Sequence, residues 1–193
     1  MDMTEVQDLV QATAAQFFGN ATVIWANQLN TKPPLPYVTL KLGDVSRNLY
    51  TASDDNDQRC YWYSTVLDVN VYTDGKPMAS QKGAVINYAN TAQSDIMDFC
   101  NFVESEYITD KLNDKGMVIR FRPPVRNLTE LEKERKYRYR AQAEFDIEFM
   151  VDAGGEYGVG VDAVRENYSG SSIADFAIEL PAIESAEAEG GNR

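Results

Sequence analysis

From Tyr137 to Val151 the chain alternates with a period of two. Tyr137, Tyr139, Ala141, Ala143, Phe145, Ile147, Phe149 and Val151 fall on one side; Arg138, Arg140, Gln142, Glu144, Asp146 and Glu148 fall on the other. Successive side chains of a strand point to opposite faces, whereas a helix would scatter this pattern around its circumference. The stretch is therefore a long strand with one core face and one mixed-charge face, which requires a sheet covered by other elements on one side only.

The rest of the chain supplies those elements. Val6, Leu9, Val10, Ala14 and Phe17 recur at spacings of three and four, predicting a helix over about 5–18, with Thr4 and Gln7 at capping-box spacing and Gly19 as its stop. A short strand is expected at Ala21–Trp25, after which TKPPLP (31–36) forces extended backbone. Tyr37–Leu42 and Tyr61–Tyr72 both alternate, and read as the two strands of a hairpin separated by the polar stretch ASDDNDQR (52–59).

Val85, Ala89, Ala92, Ile96, Phe99, Cys100 and Val103 step at three and four, predicting the longest helix over about 81–105, capped by Ser80. NDKG (113–116) is a turn, Met117–Arg122 a further strand ended by Pro123 and Pro124, and 128–134 a loop or one helical turn. One more short strand is expected at Val159–Val164. The order of helix, strands, long helix and strands gives an α+β fold, a mainly antiparallel sheet with helices packed on one face.

At 193 residues the chain has the length of one domain with a real core. No apolar run approaches the roughly 20 residues of a membrane span, and MDMTEVQDLVQ lacks the basic start and apolar run of a signal peptide, so the chain is expected to stay where it is made. Cys60 and Cys100 are expected as buried thiols. The chain has no histidine, which removes Ser-His and Cys-His nucleophile pairs and His-ligated zinc.

Net charge is −12, which opposes broad affinity for nucleic-acid phosphates. Of that, −4 lies in the last twenty residues, where five acids face Arg193, so the body is acidic too. Asp54, Asp55 and Asp57 offer oxygen ligands on a turn but lack the Gly and distant Glu of a calcium loop, and read as a solvated loop; no metal and no cofactor is expected.

Glu144, Asp146 and Glu148 sit on one face of one strand, whereas carboxylate-based catalysis draws its acids from several elements. They read as a polar face paired with cations of a neighbouring strand or subunit. Arg135, Lys136, Arg138 and Arg140 with Tyr137 and Tyr139 carry a nucleic-acid signal, but the alternation sends arginines and tyrosines to opposite faces. A face with both signs of charge suits docking onto copies of itself, so Arg138, Arg140, Glu144 and Asp146 are the subunit-interface candidates.

Val125, Asn127, Leu128 and Thr129, followed by Arg140, Ala141, Phe145, Ile147 and Phe149, resemble the late segment of bacteriophage neck or tail terminator proteins. Pro36-Tyr37-Val38-Thr39 opening a strand, and a long strand ending LDVNVYTDG, are similar to the family's earlier order; the likeness covers about 4–164. The resemblance implies a non-enzymatic virion protein, assembled in the host cytoplasm. Its α+β subunit would form a homo-oligomeric ring, usually a hexamer, on the last ring of the tail tube, stopping tube polymerisation. That ring would meet the neck or connector protein and pass DNA through its channel, with no membrane partner. Residues 1–165 would form the domain and 166–193 an acidic tail, flexible or ordered by a partner. A connector adaptor or tail completion protein is the alternative, and a nucleic-acid-binding protein a more distant one.

Overall fold

The computed structural model describes residues 1–26, 33–53, 59–79, 83, 85–133 and 136–152. The body consists of Met1–Ala52 and Tyr61–Val151; of a second unit, Ser53–Cys60 with Asp152–Arg193, only residues 53, 59, 60 and 152 are described. The described elements are α1 (Met3–Phe17), β1 (Thr22–Trp25), β2 (Tyr37–Leu42), β3 (Ser46–Ser53), β4 (Arg59–Thr73), β5 (Lys76–Ala79), β6 (Val85–Ala89), α2 (Ala92–Val103), α3 (Glu106–Asn113), β7 (Met117–Asn127), β8 (Glu130–Lys133) and β9 (Lys136–Asp152).

Seven strands form one sheet, in the order β1-β2-β4-β9-β7, with β3 on β4 and β8 on β9; β5 and β6 form a separate two-stranded sheet. β1 and β2 run parallel, while β2 and β4, β7 and β9, and β8 and β9 pair antiparallel. This is the expected α+β class. The period-two strand is β9, and its apolar set packs as predicted: Ala141, Ala143, Phe145, Ile147 and Phe149 are all buried. Opposite them in register stand Phe121, Ile119 and Met117 of β7, and Val38, Leu40, Leu67, Val69 and Val71 of β2 and β4 extend the same core.

Helices close that core through Val6, Val10 and Ala14 of α1, Ile96, Phe99 and Val103 of α2, and Ile108 and Leu112 of α3. Phe99 meets Phe145 edge-on at 5.6 Å, a favoured arrangement of the ring quadrupoles. Trp25 Nε1 donates to Gln11 Oε1 at 3.0 Å, so the indole of β1 is satisfied by α1.

Five expectations are corrected. The capping box of α1 is Asp2 with Glu5, because Asp2 has the extended backbone an N-cap needs and Thr4 already lies within the helix. The long helix over 81–105 is instead β6, α2 and α3. Val85–Ala89 pairs with β5, the Asn90 side chain accepts from Ala92 N at 3.1 Å to start α2, and extended Ser105 separates α2 from α3. Pro123 and Pro124 do not end β7; the strand resumes its pairing at Arg126 after a register shift. The 128–134 segment holds β8 rather than a loop or one helical turn. β3 was not expected, and occupies part of the span between the predicted hairpin strands, which do pair. The expected strand at 159–164, the tail after 166 and residues 54–58 lie outside the described residues.

Candidate subunit interface

Opposite the helical layer, the sheet presents the polar half of each alternating strand. β9 sends out Arg138, Arg140, Gln142, Glu144, Asp146 and Glu148, flanked by Asp68, Asn70 and Tyr72 of β4 and by Arg120, Arg122 and Arg126 of β7. Most of these charges find partners across strands of the same chain. Arg122 Nη2 lies 2.7 Å from Asp146 Oδ1, and Arg126 Nη1 donates to Glu144 Oε1 at 2.9 Å. Each arginine reaches diagonally, since Arg122 stands opposite Glu144 and Arg126 opposite Gln142 in register. Arg122 and Asp146 are nearly half exposed, so each such pair contributes only about 0.2–1 kcal/mol.

Toward β4 the ladder continues. Arg140 donates from Nε and Nη2 to Asn70 Oδ1 at 3.1 and 2.9 Å, and its guanidinium lies 5.3 Å from the Tyr72 ring centroid. Gln142 Nε2 donates to Asp68 Oδ1 at 2.9 Å. Tyr72 stacks on Tyr37 at 4.5 Å. Burial raises the Tyr37 phenol to about 12, with the Tyr72 beside it adding to the shift and the Arg140 charge opposing it. Burial likewise raises Tyr72.

Three of the four interface candidates thus join one ladder: Arg140 on the β4 side, and Glu144 and Asp146 on the β7 side. Arg138 shares their face and is half-buried. Tyr139, on the opposite face, packs against the core and donates its hydroxyl to Tyr88 O at 2.8 Å. Within β9, Arg140 and Tyr139 therefore serve different surfaces, as the alternation predicts, although Arg140 meets the tyrosine Tyr72 of β4 on the polar face.

Cys60 and Cys100 are both buried, and burial pushes the Cys100 thiol up to about 12, with Glu104 adding to the shift. Such a thiol is a poor nucleophile at neutral pH. Among the described residues no group of three acids, cysteines or histidines is placed to hold a metal ion, and no helix is long and apolar enough to cross a membrane. Asp54, Asp55 and Asp57 lie outside the described residues.

Sequence reasoning missed the surface of the β5–β6 hairpin. All four residues of β5 are exposed, as are Val85 and Tyr88 of β6. No signal in the sequence marked it: residues 75–94 contain no acid, but neither do 9–43, 115–129 or 135–143.

No curated protein sequence matches this chain. Among solved structures, a PVC sheath/tube terminator of an extracellular contractile injection system, in the extended state, is similar over 100% of this chain and 73% of that one, at 14% identity and a TM-score of 0.41. The family model described as "Phage neck terminator protein" matches residues 3–174, which takes in every described element. That family is one of structural virion proteins rather than an enzyme class. With the match spanning nearly the whole sequence, the chain belongs to the phage neck terminator protein family.

Proposed function

We propose that this protein ends tail tube polymerisation and joins the completed tail to the neck or connector, acting as a homo-oligomeric ring, a hexamer, through which DNA passes. The observation that carries the reading is the family match over residues 3–174. Residues 1–165 act as the ring-forming domain, and 166–193 as an acidic tail, flexible or ordered by a partner. The tube protein and the neck protein are the neighbours on either side, and assembly takes place in the host cytoplasm.

Two physical features support this reading. The sheet is covered by helices on one face and leaves a polar ladder on the other. Excess negative charge keeps a channel from holding the DNA that must pass. Arg138, Arg140, Glu144 and Asp146 are interface residues in this account. Because Arg140, Glu144 and Asp146 already have partners within the chain, a neighbouring copy gains orientation from them more than affinity.

The test is a phage lacking the gene, paired with native mass spectrometry of the purified chain. Tails of uncontrolled length and a ring-sized assembly are expected. Normal-length tails that fail to join heads would move the protein to the adaptor position, and a strict monomer with normal tails would remove the reading.

A further inference from the structure

We infer that the cavity at the C-terminal end of α1 binds a small organic cation, an alkylammonium or guanidinium on an apolar stem, an activity that ring assembly does not require. The cavity, about 360 Å³, lies where α1 and α2 meet the start of β2 and the end of β4. That volume falls in the range of small-ligand sites, about 300–1,000 Å³. Val38 and Val71, paired in register and both buried, form its floor. Phe17 and Phe18 wall it, edge-on to each other at 4.8 Å, and both rings pack on Phe99, at 5.5 and 4.9 Å. The apolar part is therefore preformed, while Asp98 is exposed at the mouth.

Charge gives this apolar pocket a negative field. Asp95 and Asp98 both line it, and neither carboxylate has an ion-pair or hydrogen-bond partner among the described residues. Asp95 also offsets the positive start of α2, but Asp98, nearly a turn further on, has no such task. α1 ends at the wall through Phe17 and Phe18, with no basic residue in its last turn, so the partial negative charge of that helix end adds to the two acids. Lys111 of α3 reaches Gln16 there, at 3.3 Å, yet does not line the cavity. The stretches that supply the helical walls, residues 1–31 and 83–110, contain no lysine or arginine at all.

Floor and field together select the class of occupant. A bare metal ion wants several oxygen ligands at once, and no group of three acids is gathered for one among the described residues. A purely apolar molecule would match the floor but gain nothing from the carboxylates. An alkylammonium or guanidinium uses both. Its stem lies on Val38 and Val71, and its charge meets the two aspartates and the phenylalanine rings, whose faces attract cations.

The probe is n-pentylammonium, followed by ligand-observed NMR on the full chain, with n-pentanol and ammonium as its apolar and charged halves. Pentylammonium is expected to bind at least about tenfold more tightly than either half. Removing both carboxylates by Asp95→Asn with Asp98→Asn should weaken it about tenfold, and Asp98→Asn alone, at an exposed position where the fold tolerates change, about threefold. Glu106→Gln with Asp110→Asn removes the same charge from α3, outside the cavity, and should change binding less than about twofold. Equal weakening by the two double variants would reduce the effect to overall charge and overturn the site, as would pentanol matching pentylammonium, or no saturable binding of pentylammonium. A capped lysine amide that competes with pentylammonium would identify a polypeptide side chain as the source of the cation. One that does not compete would identify a free amine, and the site stands under both.

Discussion

The β7–β9 pair of the large sheet and the two-stranded hairpin share antiparallel pairing, yet the side chains they present have opposite fates. Phe145 and Ile147 at the centre of β9 are fully buried, whereas Met78 and Val85 of the hairpin are more than half exposed. In the sheet, backbone pairing and burial support each other. In the hairpin, pairing persists although most described side chains are exposed, with a clamp of Gly75, Tyr139 and Asn90 at its base. The contrast separates two sets of apolar residues: one stabilises the fold by burial, and the other stands exposed at the surface.

The sharpest test of that division is Phe145→Ala. Truncating a fully buried phenylalanine should cost about 3–5 kcal/mol in urea denaturation, and a cost below about 1 kcal/mol would erase the distinction. Next in size, Gly75→Ala forces a Cβ into the clamp at a positive φ and should cost about 1–3 kcal/mol. Hydrogen exchange should show the loss concentrated in 76–89; uniform loss across β9 would show that hairpin and sheet form one cooperative unit.

A smaller effect is expected at alkaline pH. Tyr37 sits in the sheet with its phenol raised from 10.0 to about 12, so the folded state favours the neutral form. Its contribution is complete below pH 10 and is lost as pH rises through 12. Tyr37→Phe should flatten the stability profile in that window, and an unchanged profile would place the titration elsewhere. The smallest effect belongs to Met78→Ser, which should leave monomer stability within about 0.5 kcal/mol of wild type. A loss approaching that of Phe145→Ala would put Met78 in the fold rather than at its surface.

The sequence revealed the sheet better than it revealed the hairpin, for a physical reason. In β9, β4 and β2 one face is buried along most of the strand, so solvent imposes a period of two on the residues. Most described side chains of the hairpin are exposed, and without that pressure Val85, Ala89, Ala92 and Ile96 mimic a helical stripe. The break that divides them, where the Asn90 side chain caps Ala92 N, is one local hydrogen bond. The polar ladder was half legible. Alternation placed Arg140, Glu144 and Asp146 on one face, but their partners Asn70, Arg126 and Arg122 depend on strand order and register, which follow from tertiary pairing.

Pro123 and Pro124 lie in β7, at the margin of the large sheet, where the register with β9 skips from Arg122 to Arg126. Neither proline has an amide hydrogen to offer a further strand, so an incoming chain cannot continue the ladder past this point. A second copy of the chain, were it to approach this margin, would be steered away from fusing its sheet edge to edge along β7, a geometry with no inherent limit on length. Contacts made by side chains from fixed positions can instead close on themselves after a set number of copies.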